Sequence, residues 1–334
     1  MSKKIKRLFR QNILQPWGKC LKFLKKSYLG IYAKICGKKV DDKILESATN
    51  FFRENFHELD FECVKQKMLQ QCDANDLIIN LETPVTIQDK LNWIKLYDLD
   101  PLKSKCADKI EVHEYCKEKL GVDICVPILK YYDNVEEIHW DDLPDHFVMK
   151  CNHGSGMNIV ISDKSKLNMQ DVVKSLKTWM NTDYGLPYLE LHYSKIPRKV
   201  LVEQYMQDEQ QEDSLYDYKF WCFNGSPKYY TINDDHGHGY IIYYDVETDE
   251  IKDFYGILRH DKSILAKYRK PKNFEMMKMY AKKLSEDFKF VRVDFYEVNG
   301  KVYLGEMTFT PGGGMFRYKK LKDEIKMGKM LKLF

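Results

Sequence analysis

The chain has no Cys-x-x-Cys pair, no long apolar run and, in its first 40 residues, no acidic side chain. Nine cysteines (Cys20, Cys36, Cys63, Cys72, Cys106, Cys116, Cys125, Cys151 and Cys222) are an odd number without paired spacing. That argues against a disulfide framework and a zinc ribbon, and for a reducing compartment. No uncharged run approaches the ~20 apolar residues of a membrane span. Lysines interrupt every apolar stretch near the N-terminus, so no secretory signal is expected. Internal repeats, low-complexity tracts and the Gly-Lys-Ser/Thr of a Walker phosphate loop are also missing.

The 334 residues suffice for a substantial core and two or three subdomains. Residues 1–40 contain twelve Lys/Arg. Taking those charges from the net +4 leaves −8 on the remaining 294 residues. An acidic body repels phosphate backbones, so nucleic acid is not an expected partner. Within the arm, Leu21, Leu24, Tyr28, Ile31 and Ile35 recur at helical spacing, with Lys22, Lys25, Lys26 and Lys34 off the stripe. Such a helix either contacts an anionic membrane or packs on its own core with solvated lysines.

Pro16 and Gly37 bracket this helix, and a helical pattern runs over 41–71. Further helices are expected around Trp93–Tyr97, over 107–120 up to Gly121, near 168–180 and over 274–287. Strands are expected at 122–132, 147–150, 159–162, 200–205, 218–223, 228–232 and 240–244, with an acidic loop at 208–213. Interspersed strands and helices with hairpin signals make the class α+β.

Residues 290–314 (FVRVDFYEVNGKVYLGEMTFTPGGG) carry the densest signal. Two β-type runs flank Asn299-Gly300, and each holds one carboxylate, Asp294 and Glu306, where a charge is costly unless compensated. A two-residue turn would set Asp294 opposite Gly305 and send Glu306 to the other face. A three-residue loop, Val298-Asn299-Gly300 with Gly300 left-handed in a bulge, pairs Arg292 with Glu306 and brings Asp294 beside both. The second register suits hard cations and phosphate oxygens. A structural ion pair on a solvated face is the other reading.

Upstream, Phe147-Val148-Met149-Lys150 ends an apolar strand in a lysine, and Asn152-His153-Gly154-Ser155-Gly156 follows. Glycines between two strands let backbone N–H groups approach phosphates, with the lysine as a point charge. Glu203 closes a short strand, and Asp217 and Lys219 sit on the next. His153 either contacts phosphate or caps the turn, while Cys151 reads as a small buried residue. His236 and His238 have metal-like spacing, but without a cysteine partner a polar acceptor loop is the better reading.

These runs, with Asp89-Lys90, Leu91 to Lys95, Ala107-Asp108-Lys109, Leu143-Pro144, His192-Tyr193 and 217–225 (DYKFWCFNG), resemble the TupA-type ATP-grasp family over roughly residues 80–318. That family is associated with teichuronopeptide and capsular polysaccharide synthesis. The resemblance implies an ATP-grasp fold of mixed or antiparallel sheets with a glycine-rich lid, preceded by the basic helical arm. With the arm, which lies outside the resemblance, the chain is expected to divide into the arm 1–40, a helical subdomain 41–145, a lid 146–206, a catalytic part 207–320 and a basic tail 321–334.

It further implies that Lys109 and Lys150 contact ATP phosphates and that Gly154, Ser155 and Gly156 form the mobile lid. Glu203 and the Met206 backbone would hold adenine, and Asp294 and Glu306 would bind Mg2+. Arg292 would face the reacting phosphate, with Lys219 and Lys150 beside it as catalytic residues. The chain departs from the pattern at Thr308, where many ATP-grasp proteins place a metal-ligating Asn. It departs again at His113, in place of an arginine, and at Leu191, in place of a tryptophan.

The expected activity is an ADP-releasing carboxylate–amine ligase acting through an acyl phosphate. Its partners would be an amino acid or other small amine and a uronic acid on a polysaccharide, nucleotide sugar or lipid-linked precursor. Its place would be the cytoplasm, with peripheral contact at the inner face of the plasma membrane. The alternatives are a sugar phosphotransferase or a glycosyltransferase. Against the latter, the single Asp-x-Asp triplet, Asp98-Leu99-Asp100, precedes a proline in the N-terminal part. A membrane-attached assembly factor with a vestigial nucleotide site is the non-catalytic reading.

Overall fold

In the computed structural model, residues 14–208, 215–233, 242–255 and 270–334 are described. Among the described residues six helices come first: α1 Leu14–Cys36, α2 Asp42–Asn55, α3 Phe61–Ala74, α4 Ile87–Tyr97, α5 Pro101–Ala107 and α6 Val112–Leu120. Strand β1 (Ile128–Tyr132), the hairpin β2 (Phe147–Cys151) and β3 (Asn158–Ile161), helix α7 (Met169–Met180) and the single turns α8 (Gly185–Tyr188) and α9 (Leu191–Ser194) lead to β4 (Val200–Gln204). The remainder is β5 Asp217–Phe223, β6 Ser226–Asn233, β7 Tyr243–Asp245, β8 Ile251–Lys252, α10 Phe274–Ser285, β9 Phe290–Val298, β10 Lys301–Thr308 and α11 Leu321–Met330.

Two expected helices are each divided. The 41–71 pattern breaks at Asp60, whose side chain accepts from the Cys63 N–H and so starts a new helix, α3. The 107–120 pattern breaks between α5 and α6, where Asp108 accepts from the Ile110 N–H. Gly121 closes α6 in the left-handed conformation (φ +75°), as expected. Pro16 lies in the first turn of α1, where a missing N–H costs little, and the helix runs through it. The strand expected over 122–132 is confined to β1, preceded by an isolated parallel bridge from Cys125 to Leu304.

Both sheets are antiparallel. The smaller has the order β1-β4-β2-β3 and the larger β10-β9-β5-β6-β7-β8. In the smaller sheet Phe147, Met149, Cys151, Val200 and Val202 pack on Val172 and Leu176 of α7. Alternation then turns Lys150 and Glu203 to the opposite face. The larger sheet buries Phe220, Tyr230, Val293 and Phe295 against Met277 and Leu284 of α10. Its other face carries an aromatic half, Trp221, Phe223, Tyr229 and Phe290, packed by the N-terminal helices. The charged half of that face holds the candidate site. Among the described residues, no helix is long and apolar enough to cross a membrane.

Candidate active site

The β9–β10 turn has two residues, not three: Val298 pairs with Lys301, and Asn299 (φ +50°) and Gly300 (φ +73°) are both left-handed. That geometry is the hairpin turn favoured by Asn-Gly. Continued regularly, it would separate the two carboxylates. The register instead shifts between Leu304 and Glu306, so Gly305 is an extra residue and Glu306 pairs with Asp294. The expected convergence is present, but a bulge at Gly305 produces it. A Cβ on Gly305 would lie 2.7 Å from Tyr296 Cε2, which is why the bulge residue is glycine. At the same place the Leu304 N–H donates to Ile124 O (2.7 Å) and its carbonyl accepts from the Val126 N–H (3.3 Å).

Arg292 pairs across the hairpin with Thr308, not with Glu306. Its guanidinium nevertheless spans the whole face. Nε donates to Asp294 Oδ1 (2.7 Å), and Nη2 donates to Asp294 Oδ2, to Glu306 Oε1 (2.8 Å) and to Thr308 Oγ1 (3.1 Å). Thr308 donates in turn to Glu306 Oε1 (2.9 Å), so it points with the carboxylates as expected. On the next strand Lys219 stands directly opposite Asp294, donating to it at 2.8 Å and also to Asp217.

The electrostatics follow from this packing. Burial opposes the charge on Glu306, but Arg292, Lys109 and Lys219 outweigh it and hold the carboxyl at about 2. Burial lowers the Lys219 pKa, yet Asp217 and Asp294 carry it up to about 12. For Asp217 burial prevails over Lys219, with Asp294 adding repulsion, and its pKa rises.

The β2–β3 hairpin meets this face through Lys109. Its ammonium donates to Gly154 O at 2.6 Å. Burial lowers its pKa, with Lys150 lowering it further and Glu306 and Glu203 opposing, so all four charges share one neighbourhood. Lys150 is bound to Glu203 Oε2 at 2.6 Å. Four carboxylates (Glu203, Asp217, Asp294, Glu306) and four cations (Lys109, Lys150, Lys219, Arg292) therefore balance across the gap between the sheets.

Ser155 and Gly156 are exposed at the tip, with Gly156 left-handed (φ +72°). Gly154 is buried, and a Cβ there would meet the Tyr184 ring at 2.8 Å. Met206 follows β4 and is partly buried. His153 is turned inward, its Nε2 donating to the carbonyls of Trp179 (3.2 Å), in the last turn of α7, and Thr182 (3.3 Å), just past it, so it fastens the loop and does not reach for phosphate. Cys151 is fully buried, in line with a packing role. His113 hydrogen-bonds Asp123 through Nδ1 at 2.9 Å. His236 and His238 lie outside the described residues.

Several residues escaped sequence reasoning. Asn152, wholly buried, donates to Asp108 Oδ1 (2.9 Å) and Pro197 O (2.9 Å) and accepts from the Lys199 N–H (2.8 Å). It ties the Asp108-Lys109 corner to the lid. The buried Glu190 accepts from Thr310, two residues past Thr308, and burial raises its pKa against Thr310 and Lys95. Tyr184 hydrogen-bonds at Ser155, and its ring stands edge-on to Tyr193 at 5.0 Å. A carboxylate beside tyrosines, between two single turns, was the available signal for this wall.

An antiparallel strand face with two carboxylates and an arginine, met by a glycine-turned hairpin bearing a lysine, defines an ATP-grasp protein of the α+β class. The chain belongs to the TupA-like ATP-grasp family, whose model matches residues 89–332. No curated protein matches it. Among solved structures it is similar to D-alanine–D-alanine ligase from Bacillus anthracis complexed with ATP (15% identity, 67% of this chain and 60% of that one, TM-score 0.37). The same ligase from Helicobacter pylori (16%, 68% and 61%, TM-score 0.37) is comparable. N5-carboxyaminoimidazole ribonucleotide synthetase from Thermus thermophilus is a further match (10%, 61% and 45%, TM-score 0.33). The chain thus spans about 60% of the length of the D-alanine–D-alanine ligases.

Proposed function

We propose that this chain is an ATP- and magnesium-dependent carboxylate–amine ligase. Its carboxylate would be a uronic acid of a capsular or other cell-surface polysaccharide, or of a nucleotide-linked or lipid-linked precursor. Its amine would be an amino acid or another small amino compound. The observation that carries the reading is the single charged face of β5, β9 and β10, with Lys109 joining it electrostatically to the lid pair Lys150 and Glu203.

The donor set fits a divalent cation: Asp294 and Glu306 converge, and Thr308 adds a hydroxyl on the same side. Those residues would hold Mg2+, which would neutralise phosphate oxygens during transfer. Lys150, oriented by Glu203, and Lys109, oriented by Gly154, supply positive charge at the phosphates. Gly154, Ser155 and Gly156 let the lid backbone approach them, and Glu203 with the Met206 backbone borders the adenine. Arg292 and Lys219 stabilise the phosphoryl group as it passes to the carboxylate oxygen. The amine then attacks the acyl carbon, phosphate departs, and the closed lid keeps water from hydrolysing the acyl phosphate. Glu190, Tyr184 and Tyr193 form the wall at which the acceptor would lie. The division into arm, helical subdomain, lid, catalytic part and tail belongs to the same reading, as does work in the cytoplasm at the inner membrane face.

The test incubates pure protein with ATP, magnesium, UDP-uronic acids and a panel of amines, followed by nucleotide and mass analysis. ADP, phosphate and an amide product are expected. AMP release would sink the acyl-phosphate route, and a phosphorylated sugar formed without amine would replace the ligase by a phosphotransferase.

A further inference from the structure

Helix α1 has two apolar faces. Leu29 and Ala33 are buried against Val85 and Ile325 of α11. Two ion pairs fix that side to the body, Lys22 to Asp73 (2.7 Å) and Lys25 to Glu324 (2.9 Å). The second face is Leu24, Tyr28, Ile31 and Ile35, spaced four, three and four residues apart. These side chains are 57%, 53%, 61% and 76% exposed, and Phe23 beside them is 68% exposed. At 3.6 residues per turn the exposed stripe is centred roughly 150° from the buried one. Packing on the chain's own core therefore accounts for the first face and leaves the second open.

Charge complementarity selects the occupant. Exposed Lys34 flanks the stripe on the same helix, in a 40-residue segment with twelve basic residues and no acid, while Lys26 lies on the side of Lys22, near Asp73. A protein partner or a second copy of this chain, whose remaining residues carry −8, would explain the charge only if it met that acidic part. A lipid surface explains both features together: an apolar stripe for the acyl boundary and lysines for anionic headgroups. The stripe needs no folding on contact, because the opposite face already holds the helix rigid.

We infer that α1 is an interfacial helix that seats the protein on an anionic lipid surface, with Leu24, Tyr28, Ile31 and Ile35 inserted and Lys34 at headgroup level. The inference deepens the proposed membrane placement and rests on it for its biological sense, but not on the ligase chemistry.

The test uses the full chain with phosphatidylcholine vesicles, with and without phosphatidylglycerol, in a co-sedimentation assay. Binding is expected only with phosphatidylglycerol and is weakened by salt. Replacing two of the stripe residues in Leu24→Asn/Ile31→Asn should weaken it at least tenfold, roughly a methylene or two of burial at each position. Lys34→Gln should cost about fivefold. The thermal transition of every variant should stay at the wild-type value, because each side chain points away from the body. Equal binding to neutral vesicles, no binding, or binding indifferent to the stripe would overturn the inference. So would a concentration-dependent dimer abolished by the stripe variant, which would make the occupant a second copy. Amide formation on a soluble acceptor, measured on the same proteins, should not change. A failed vesicle arm then leaves the ligase reading standing, and a failed ligation arm leaves the vesicle result interpretable.

Discussion

Two carboxylates of the candidate site, Glu306 and Asp217, should respond oppositely to neutralisation. Glu306 accepts from Arg292 at 2.8 Å and from Thr308 at 2.9 Å, and these contacts with Lys109 and Lys219 hold its pKa at about 2. Relative to an ordinary glutamate at 4.5, that corresponds to about 3 kcal/mol favouring the charged form in the folded state. The side chain keeps 30% of its exposure, so solvent screening reduces the expected contribution to about 2 kcal/mol. Because the folded pKa is depressed, the contribution is complete above the unfolded value and is lost as pH falls from 4.5 toward 2. Glu306→Gln should therefore lower the urea-unfolding free energy by about 2 kcal/mol at neutral pH, and the gap to wild type should narrow below pH 4.5. Asp217 differs: burial costs its charge more than Lys219 returns, and its pKa is raised. Asp217→Asn should be neutral or stabilising at neutral pH. If Glu306→Gln proves as stable as wild type there, desolvation rather than the Arg292 network governs this face, and the balance described for it is wrong.

Asn152→Ala should cost about 2–4 kcal/mol, since three buried hydrogen bonds are lost and their partners stranded; Asn152→Asp should not rescue it, because a carboxylate cannot donate to Asp108 or Pro197. Lys150→Met should weaken ATP binding at least tenfold by calorimetry; adding Glu203→Gln should recover stability, because the single change strands a buried carboxylate, but not affinity. Gly305→Val should cost about 1–3 kcal/mol by crowding Tyr296. Deleting Gly305 should preserve magnesium-dependent nucleotide binding better than Gly305→Val does, because a regular ladder from the two-residue turn still pairs Glu306 with Asp294.

Much of the candidate site was legible because its chemistry is local in sequence. A charge in an apolar strand is costly, so Asp294, Glu306, Lys150 and Glu203 stood out against their neighbours, and alternation made the faces of Asp294 and Glu306 a question of register. Asn152, Glu190 and Thr310 did not stand out. Their roles depend on partners 44 to 120 residues away: Asn152 on Asp108 and Pro197, and Glu190 on Thr310. A polar residue in a loop looks the same whether it is solvated or clamping two elements together. The helix divisions at Asp60 and Asp108 were missed for a related reason, because an aspartate can cap a new helix or decorate an old one, and tertiary packing decides.

The β9–β10 hairpin shows how a correct geometric demand can be met by an unforeseen device. Period-two alternation requires an odd residue somewhere between Asp294 and Glu306 if both are to face one way. Asn299-Gly300 invited placing that residue in the turn, since glycine there serves either a bulged loop or a tight one. The tight turn forms, with both residues left-handed, and the odd residue is Gly305, adjacent to Glu306. The location has a structural reason outside the hairpin. Leu304 binds the 124–126 segment through both its N–H and its carbonyl, so β10 is engaged on its outer edge where the ladder to β9 slips by one. That segment follows α6, and α6 follows the Asp108-Lys109 corner that meets the lid through Asn152. The bulge that turns Glu306 toward Asp294 is thus held by the same stretch of chain that delivers Lys109 to Glu306, which couples the position of the lysine to the register of the carboxylate.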